Sequence, residues 1–403
     1  MGVSRIAVGA PQLELVSRTF KSRTWERIEH LRDNADGFPT YDYLPHQVQG
    51  YREIANAFGT QQPQANEFLL HCAPGWQSAE RDEVPVLLLH GMTQDAQCWY
   101  HCYGLGVALL PGHRNDGLAP YLVHKNKKVF AITFPHANGD QHAAGRLVGD
   151  AVARIKELTG AKQVDIVGHS MGGIAGRVYT TSAFQDVRYR GDVRKLITMG
   201  TPHLGTDLAF RMGALTGSIA PFIPLAGALM RRLHVNQDFN VGGPWDAVRT
   251  LTGWANMKQY SVHGGHFPGL AQLTYRWDDK YPVSGLIPDA RPTYYGGEGI
   301  VGRSPGIDAA IEVGGHFIDH LRKHALAPKI QLYMLAGNRP YRALPYTTAD
   351  SDGLVLVDSA LAAADMTRRG AQLRDAAVLP VDHAEMLHSI AVKRWVLDCL
   401  NEN

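Results

Sequence analysis

From residue 84 onward, short runs of apolar residues alternate with longer stretches in which apolar residues recur at helical spacing. This is the pattern of βαβ units: strands buried on both faces read as nearly unbroken apolar runs, and the crossover helices show one apolar stripe. The runs "VPVLLLHG", "KKVFAITF", "KQVDIVGH" and "VRKLITMG" predict successive strands. Between the second and third, "DQHAAGRLVGDAVARIKELTG" predicts an amphipathic helix closed by Gly160, because glycine takes the left-handed conformation that ends a helix at little cost. "MGGIAGRVYTTSAF" predicts the next helix, "KIQLYMLAG" and "AAVLPVDH" two later strands, and "EMLHSIAVKRWVLDCL" a closing helix. The fold class is therefore α/β, with a mostly parallel sheet flanked by helices.

Two regions lack this texture. Residues 1–80 mix charged, aromatic and Gln-rich stretches and are expected to form an N-terminal extension packed on the core. Residues 206–328 are rich in Gly, Pro and aromatic side chains with little clean periodicity, and are expected as a lid or cap insertion into a core made of 81–205 and 329–403. Within the insertion, residues 208–230 are long and apolar enough to raise a membrane question. Arg211, three glycines, Pro221 and Pro224 make that segment a poor spanning helix, so a buried or interfacial segment is expected.

Composition narrows the function classes. The 40 basic and 38 acidic residues nearly cancel and form no block of one sign, which argues against a dedicated nucleic-acid surface. Four cysteines, Cys72, Cys98, Cys102 and Cys399, are too few for a disulfide scaffold and form no zinc-ligand array, although Cys98 and Cys102 stand close enough in sequence to pair if oxidised. No signal peptide is visible at the start, so the expectation is a cytoplasmic protein or a mature secreted one.

The candidate chemistry centres on "IVGHSMGG". Gly-x-Ser-x-Gly alone means little in a chain with 42 glycines, and the pattern indeed occurs twice, at Gly168–Gly172 and at Gly302–Gly306. A nucleophile elbow also needs a strand that delivers the serine and a helix whose first N–H groups face the reacting oxygen. Ser170 has both. Ser304 has no apolar run before it and is followed by Pro305, which has no backbone N–H to donate.

A serine nucleophile needs a base, an acid to orient that base, and oxyanion donors. In this arrangement the acid and then the His follow the Ser along the chain. "TTADSDGLVLVDS" offers Asp352, with Asp350 and Asp358 as rivals. "LPVDHAEMLHS" offers His383 at a strand end, preferred over His388, which is expected to lie along the closing helix. The turn at His90-Gly91 makes the Met92 N–H the expected partner of the Met171 N–H in an oxyanion hole.

With these residues in place the sequence resembles the α/β-hydrolase superfamily, and within it the bacterial triacylglycerol lipases. The resemblance is carried by "LLLHGM", "VGHSMGGIAGR", "TMGTPHLGTD" and "SDGLV", in that order, over residues 84–206 and 350–390. It implies an α/β-hydrolase fold, a triad of Ser170, Asp352 and His383, and an oxyanion hole at Met92 and Met171. Some of these lipases also bind a structural calcium through an acidic residue just past the catalytic His. Glu385 stands there in place of the expected Asp, which argues against calcium, and no organic cofactor is implied.

The expected function is carboxylic ester hydrolysis by a lipase or lipase-like esterase, acting through an acyl-enzyme on an ester or lipid substrate. An apolar lid opening at a lipid–water interface would fit residues 208–230, with a fixed cap as the alternative. An acyltransferase using the same triad is the nearest rival. A non-catalytic binding module on the same scaffold is the rival of another class. His316, His320 and His324 are spaced for one helix face, but without a supporting motif they are read as structural or surface histidines, as are His263 and His266. His90, His169 and His203 are read as loop-shaping residues.

Overall fold

The computed structural model describes residues 13–20, 22, 24–43, 52–78, 81–82, 84–101, 117–181, 183–207, 210–211, 265–285, 290–299, 303–340 and 349–402. In chain order the strands are β1 (Leu13–Phe20), β2 (Arg27–Asp33), β3 (Glu67–Cys72), β4 (Val86–Leu89), β5 (Val129–Thr133), β6 (Val164–His169), β7 (Val193–Met199), β8 (Gly297–Glu298), β9 (Arg303–Ser304), β10 (Gln331–Gly337) and β11 (Gln372–Leu379). The helices are α1 (Arg52–Phe58), α2 (Leu118–His124), α3 (Gln141–Thr159), α4 (Met171–Thr181), α5 (Pro268–Leu273), α6 (Ala290–Tyr295), α7 (Ile307–Val313), α8 (Phe317–Arg322), α9 (Val357–Ala360), α10 (Ala364–Thr367) and α11 (Ile390–Asn401).

Among the described residues, nine strands form one sheet in the order β1-β2-β3-β5-β4-β6-β7-β10-β11. The run from β5 to β11 is parallel throughout, and β1, β2 and β3 join antiparallel at one side. The exchange of β4 and β5 in an otherwise sequential parallel sheet, with a serine at the β6–α4 turn, is the α/β-hydrolase fold.

Strand periodicity divides the core into two layers. Leu87, Leu89, Phe130, Ile132, Val164 and Ile166 face α3 and α4. Val86, Leu88, Val129, Ala131, Val167 and Ile197 face α2 and α11. Successive strand side chains point to opposite faces, so a strand covered on both sides must be apolar at every position. Helix α3 ends at Gly160 in the left-handed conformation, φ 72°, and begins where the Asp140 carboxylate accepts from Ala143 N. Gly160 ends the helix as expected, and the Asp140 cap is a further local signal at its start.

The N-terminal region departs from expectation. Residues 1–80 were expected as an extension packed on the core, yet β1, β2 and β3 belong to the sheet itself. Trp25 and Ile28 enter one core layer and Leu31, Phe68 and Leu70 the other. Apolar runs are missing here because buried carboxylates hold part of the surface: Glu29 is bound by Arg154 and Glu67 by Arg32. Ser304, read as having no apolar run before it, lies at the end of the two-residue β9. Its buried hydroxyl donates to Thr293 O and accepts from Gly306 N, which makes it a turn brace.

Most of the apolar segment 208–230 lies outside the described residues, as do His263 and Cys102, and with them the lid and the Cys98–Cys102 pairing. At the head of the segment Arg211 donates to Asp207, 2.8 Å away, and both side chains are buried. Among the described residues of 206–328, Phe210, Phe267, Leu270 and Tyr294 form a small separate apolar cluster. Among the described residues, no helix is long and apolar enough to cross a membrane.

Candidate active site

Ser170 follows β6 and heads α4 with φ +54°, a backbone conformation that side chains with a Cβ rarely adopt. Two hydrogen bonds hold it there, from Ser170 N to Met199 O at 2.9 Å and from Gly173 N to Ser170 O at 3.0 Å. The flanking glycines are required by close approach. A Cβ on Gly172 would stand 2.4 Å from the carbonyl oxygens of Leu89 and His90, and one on Gly168 would stand 2.5 Å from Gly173 Cα. Strain of this kind persists only where the surroundings enforce it, and it characterises nucleophile elbows.

The loop after β4 passes directly over this turn. A Cβ on Gly91 would lie 2.9 Å from Ser170 Cβ. His90 fixes the loop: its Nε2 accepts from Phe134 N at 3.1 Å, so Nδ1 carries the proton and donates to Gly91 O at 2.8 Å. Burial pushes the His90 imidazole down to about 4, which keeps it neutral. The Met92 and Met171 amides flank the turn, and neither donates a hydrogen bond among the described residues. A narrow cavity beside them is lined by Tyr41, His90, Phe134, Gln141, Met171 and Gly172.

Asp352 and His383 come from the loops after β10 and β11. His383 Nδ1 donates to Asp352 Oδ2 at 2.7 Å, and His383 N donates to Asp352 O at 2.9 Å. The other carboxylate oxygen of Asp352 accepts from Leu354 N at 2.9 Å and from Val355 N at 2.7 Å. Both side chains are buried. Gly200, φ +55°, closes the floor beneath them: a Cβ there would lie 2.9 Å from Asp352 Oδ2 and 3.1 Å from His383 Nδ1. The rivals are engaged elsewhere. Asp358 binds Tyr281 and Lys280, Asp350 takes part through its carbonyl oxygen in a turn with Val357, and His388 follows a short 3₁₀ turn before α11.

Sequence reasoning missed two contributors. Gly200 gave no signal beyond its place in "TMGTPH". His169, read as loop-shaping, donates from Nε2 to His383 O at 2.9 Å and packs its ring against that of His383 with centroids 4.6 Å apart. His203 braces the neighbouring loop through Thr198, and Arg177 donates to the His203 carbonyl.

Glu385 pairs with Arg339, and Asp382 caps the turn by accepting from Ala384 N and Glu385 N. A carboxylate so occupied does not fit a calcium ligand. His316 pairs with Glu312, His320 meets Ala183 O and His324 meets His320 O. Among the described residues, no group of three or more His, Cys, Asp or Glu side chains is placed to hold a metal ion.

The strand order and the serine turn are those of the α/β-hydrolase fold. A family profile described as a PGAP1-like alpha/beta domain matches residues 136–216. The chain is similar to the triacylglycerol lipase of Pseudarthrobacter phenanthrenivorans, 28% identical over 197 residues that cover 46% of this chain and 54% of that protein. It is equally similar to the triacylglycerol lipase of Burkholderia plantarii, 28% identical over 197 residues covering 46% and 48%. The chain thus spans about half the length of these curated relatives. Among solved structures, the mature Bacillus licheniformis lipase BlEst2 aligns with TM-score 0.42 and 14% identity, over 83% of this chain and 97% of that one. The Pyrococcus furiosus esterase PF2001 aligns with TM-score 0.39 and 10% identity, over 83% and 84%.

Proposed function

We propose that the protein hydrolyses carboxylic esters through an acyl-enzyme, as a lipase or lipase-like esterase. The observation that carries this reading is the buried His383–Asp352 pair, joined at 2.7 Å, in a chain whose Ser170 is held in a strand-to-helix turn with φ +54°. Ser170 attacks the ester carbonyl, and His383 takes its proton and returns it to the leaving alcohol. Asp352, held by two backbone amides, keeps Nδ1 protonated so that Nε2 is the base, and it stabilises the imidazolium that forms. The Met92 and Met171 amides donate to the oxyanion, each contributing about 3 kcal/mol of barrier lowering. His383 then activates the water that releases the acid.

The described part of the insertion, packed beside the elbow through Gly269 and Met171, supports its role as a cap over the acyl or alcohol side of the substrate. The test is hydrolysis of p-nitrophenyl esters from acetate to palmitate by the native protein and by Ser170→Ala. Turnover of the longer esters that disappears in the Ala variant is expected. Turnover confined to short acyl chains would replace the lipase reading with an esterase. No turnover, or an Ala variant equal to the native protein, would remove Ser170 from the reaction.

A further inference from the structure

His169 sits between Gly168 and Ser170 at the end of β6, and its side chain is buried, with Nδ1 3.1 Å from where a Cβ on Gly91 would stand. Its Nε2 lies 2.9 Å from His383 O, and a carbonyl only accepts, so Nε2 carries the proton. Nδ1 is therefore a bare acceptor, and it is buried with no partner among the described residues. Leaving such an atom unpaired is costly, and packing alone would not require it of a position that could be filled by an apolar side chain. The imidazole also lies tilted at 46° against the His383 ring, so it touches the base by side chain and by main chain.

The topology gives this contact its meaning. β6 and β11 are separated in the sheet by β7 and β10, so the turn carrying Ser170 and the loop carrying His383 are not neighbours through the backbone ladder. We infer that His169 is a positioning residue that ties the base loop to the nucleophile turn, fixing the distance between His383 and Ser170 through the His383 carbonyl. This rests on the proposed roles of Ser170 and His383. His169 touches neither substrate nor a transferred proton. It sets the backbone from which the His383 imidazole projects, while Asp352 sets the rotation of the ring. A neutral ring at this place also adds no repulsion when His383 becomes an imidazolium. Burial and the neighbouring His383 hold the His169 imidazole well below its ordinary range.

The experiment compares His169→Phe, which keeps a ring and loses the donor, with His169→Gln, which keeps an N–H at similar reach. Each is assayed on a p-nitrophenyl ester for kcat and KM separately, beside Ser170→Ala. Each is also examined by proton NMR for the low-field signal of the His383 Nδ1–H shared with Asp352, and by circular dichroism for folding. His169→Phe is expected to lose about 100-fold in kcat, the effect of misplacing a reacting group by about an ångström, with KM within about twofold. Its low-field proton should broaden or shift, and His169→Gln should restore both readouts most of the way.

A folded His169→Phe with native kcat and an unmoved proton signal would overturn the inference. So would a folded His169→Gln no better than Phe, which would leave only packing. Should the Phe variant not fold, the Gln variant alone decides: a native kcat and proton signal support the tie, and a loss of both refutes it. If the native protein turns over no ester, or Ser170→Ala matches it, the functional reading fails instead, and the proton signal still judges the positioning.

Discussion

The two rims of the parallel sheet are built on opposite principles. At the carboxyl ends of the strands, Ser170 and Gly200 hold positive φ, and glycines admit backbone contacts that a Cβ would forbid. The buried atoms His169 Nδ1, Thr201 Oγ1 and His203 Nδ1 have no partner among the described residues. At the amino ends, the buried Asp165, Lys127 and Lys195 are each held by partners from distant segments. Arg194 clasps both oxygens of Asp165, and Lys127 bridges Asp82 and Asn401. Lys195 donates to the carbonyls of Cys399, Leu400 and Glu402. One rim carries backbone strain at the serine turn, the other a set of clasped charges. Strain gathers where a structure must meet another molecule, and the clasped charges supply stability that the strained rim lacks.

The sharpest way to break this contrast is at the nucleophile. Ser170→Ala and Asp352→Asn should each lower kcat on a p-nitrophenyl ester by about 10,000-fold while the thermal unfolding midpoint stays near native. Gly200→Ala comes next. Its methyl would crowd Asp352 and His383 from a left-handed residue, and about 10- to 100-fold loss of kcat is expected, with roughly 1–2 kcal/mol lost in urea unfolding. The opposite rim should respond the opposite way. Lys195→Met should cost about 1–3 kcal/mol of stability, because three carbonyls lose a donor, with activity per folded molecule unchanged.

The smallest effect concerns the neutral histidines behind the active rim. Burial, and secondarily the nearby His90, hold the His71 imidazole down to about 3 against an ordinary 6.5. A depressed folded-state value means that the stability contribution is present above about 6.5 and is lost as the pH falls toward 3. The destabilisation caused by His71→Gln, followed by urea unfolding, should therefore be largest at neutral pH and shrink through that window. A gap that widened on acidification would show His71 to be protonated in the fold.

What the sequence disclosed follows from where apolar periodicity is strong. The central strands and α3 were legible because each is covered on both faces or carries one clean stripe, and Gly160 marked its own helix end. The strands β1 to β3 were not. "RIEHLRD" places Glu29, His30 and Asp33 among buried residues, and their carboxylates are neutralised by Arg154 and Arg146, distant in sequence, so no apolar run advertises a strand. At the site, residue type and chain order pointed to Ser170, Asp352 and His383, because an elbow and a strand-end loop leave local marks. The roles of Gly200 and His169 depend on which strands end side by side, a fact of tertiary register that no local window contains.

The tie from His169 to His383 spans 214 residues of chain. The site therefore cannot assemble on a ribosome-bound nascent chain until the last strand and its loop have emerged and docked. A chain that already carries Ser170, α4 and most of the sheet thus still lacks the His383–Asp352 pair during synthesis. On the proposed function, ester hydrolysis is expected to begin only once β11 and its loop have docked, so its onset would report that this edge of the sheet has closed.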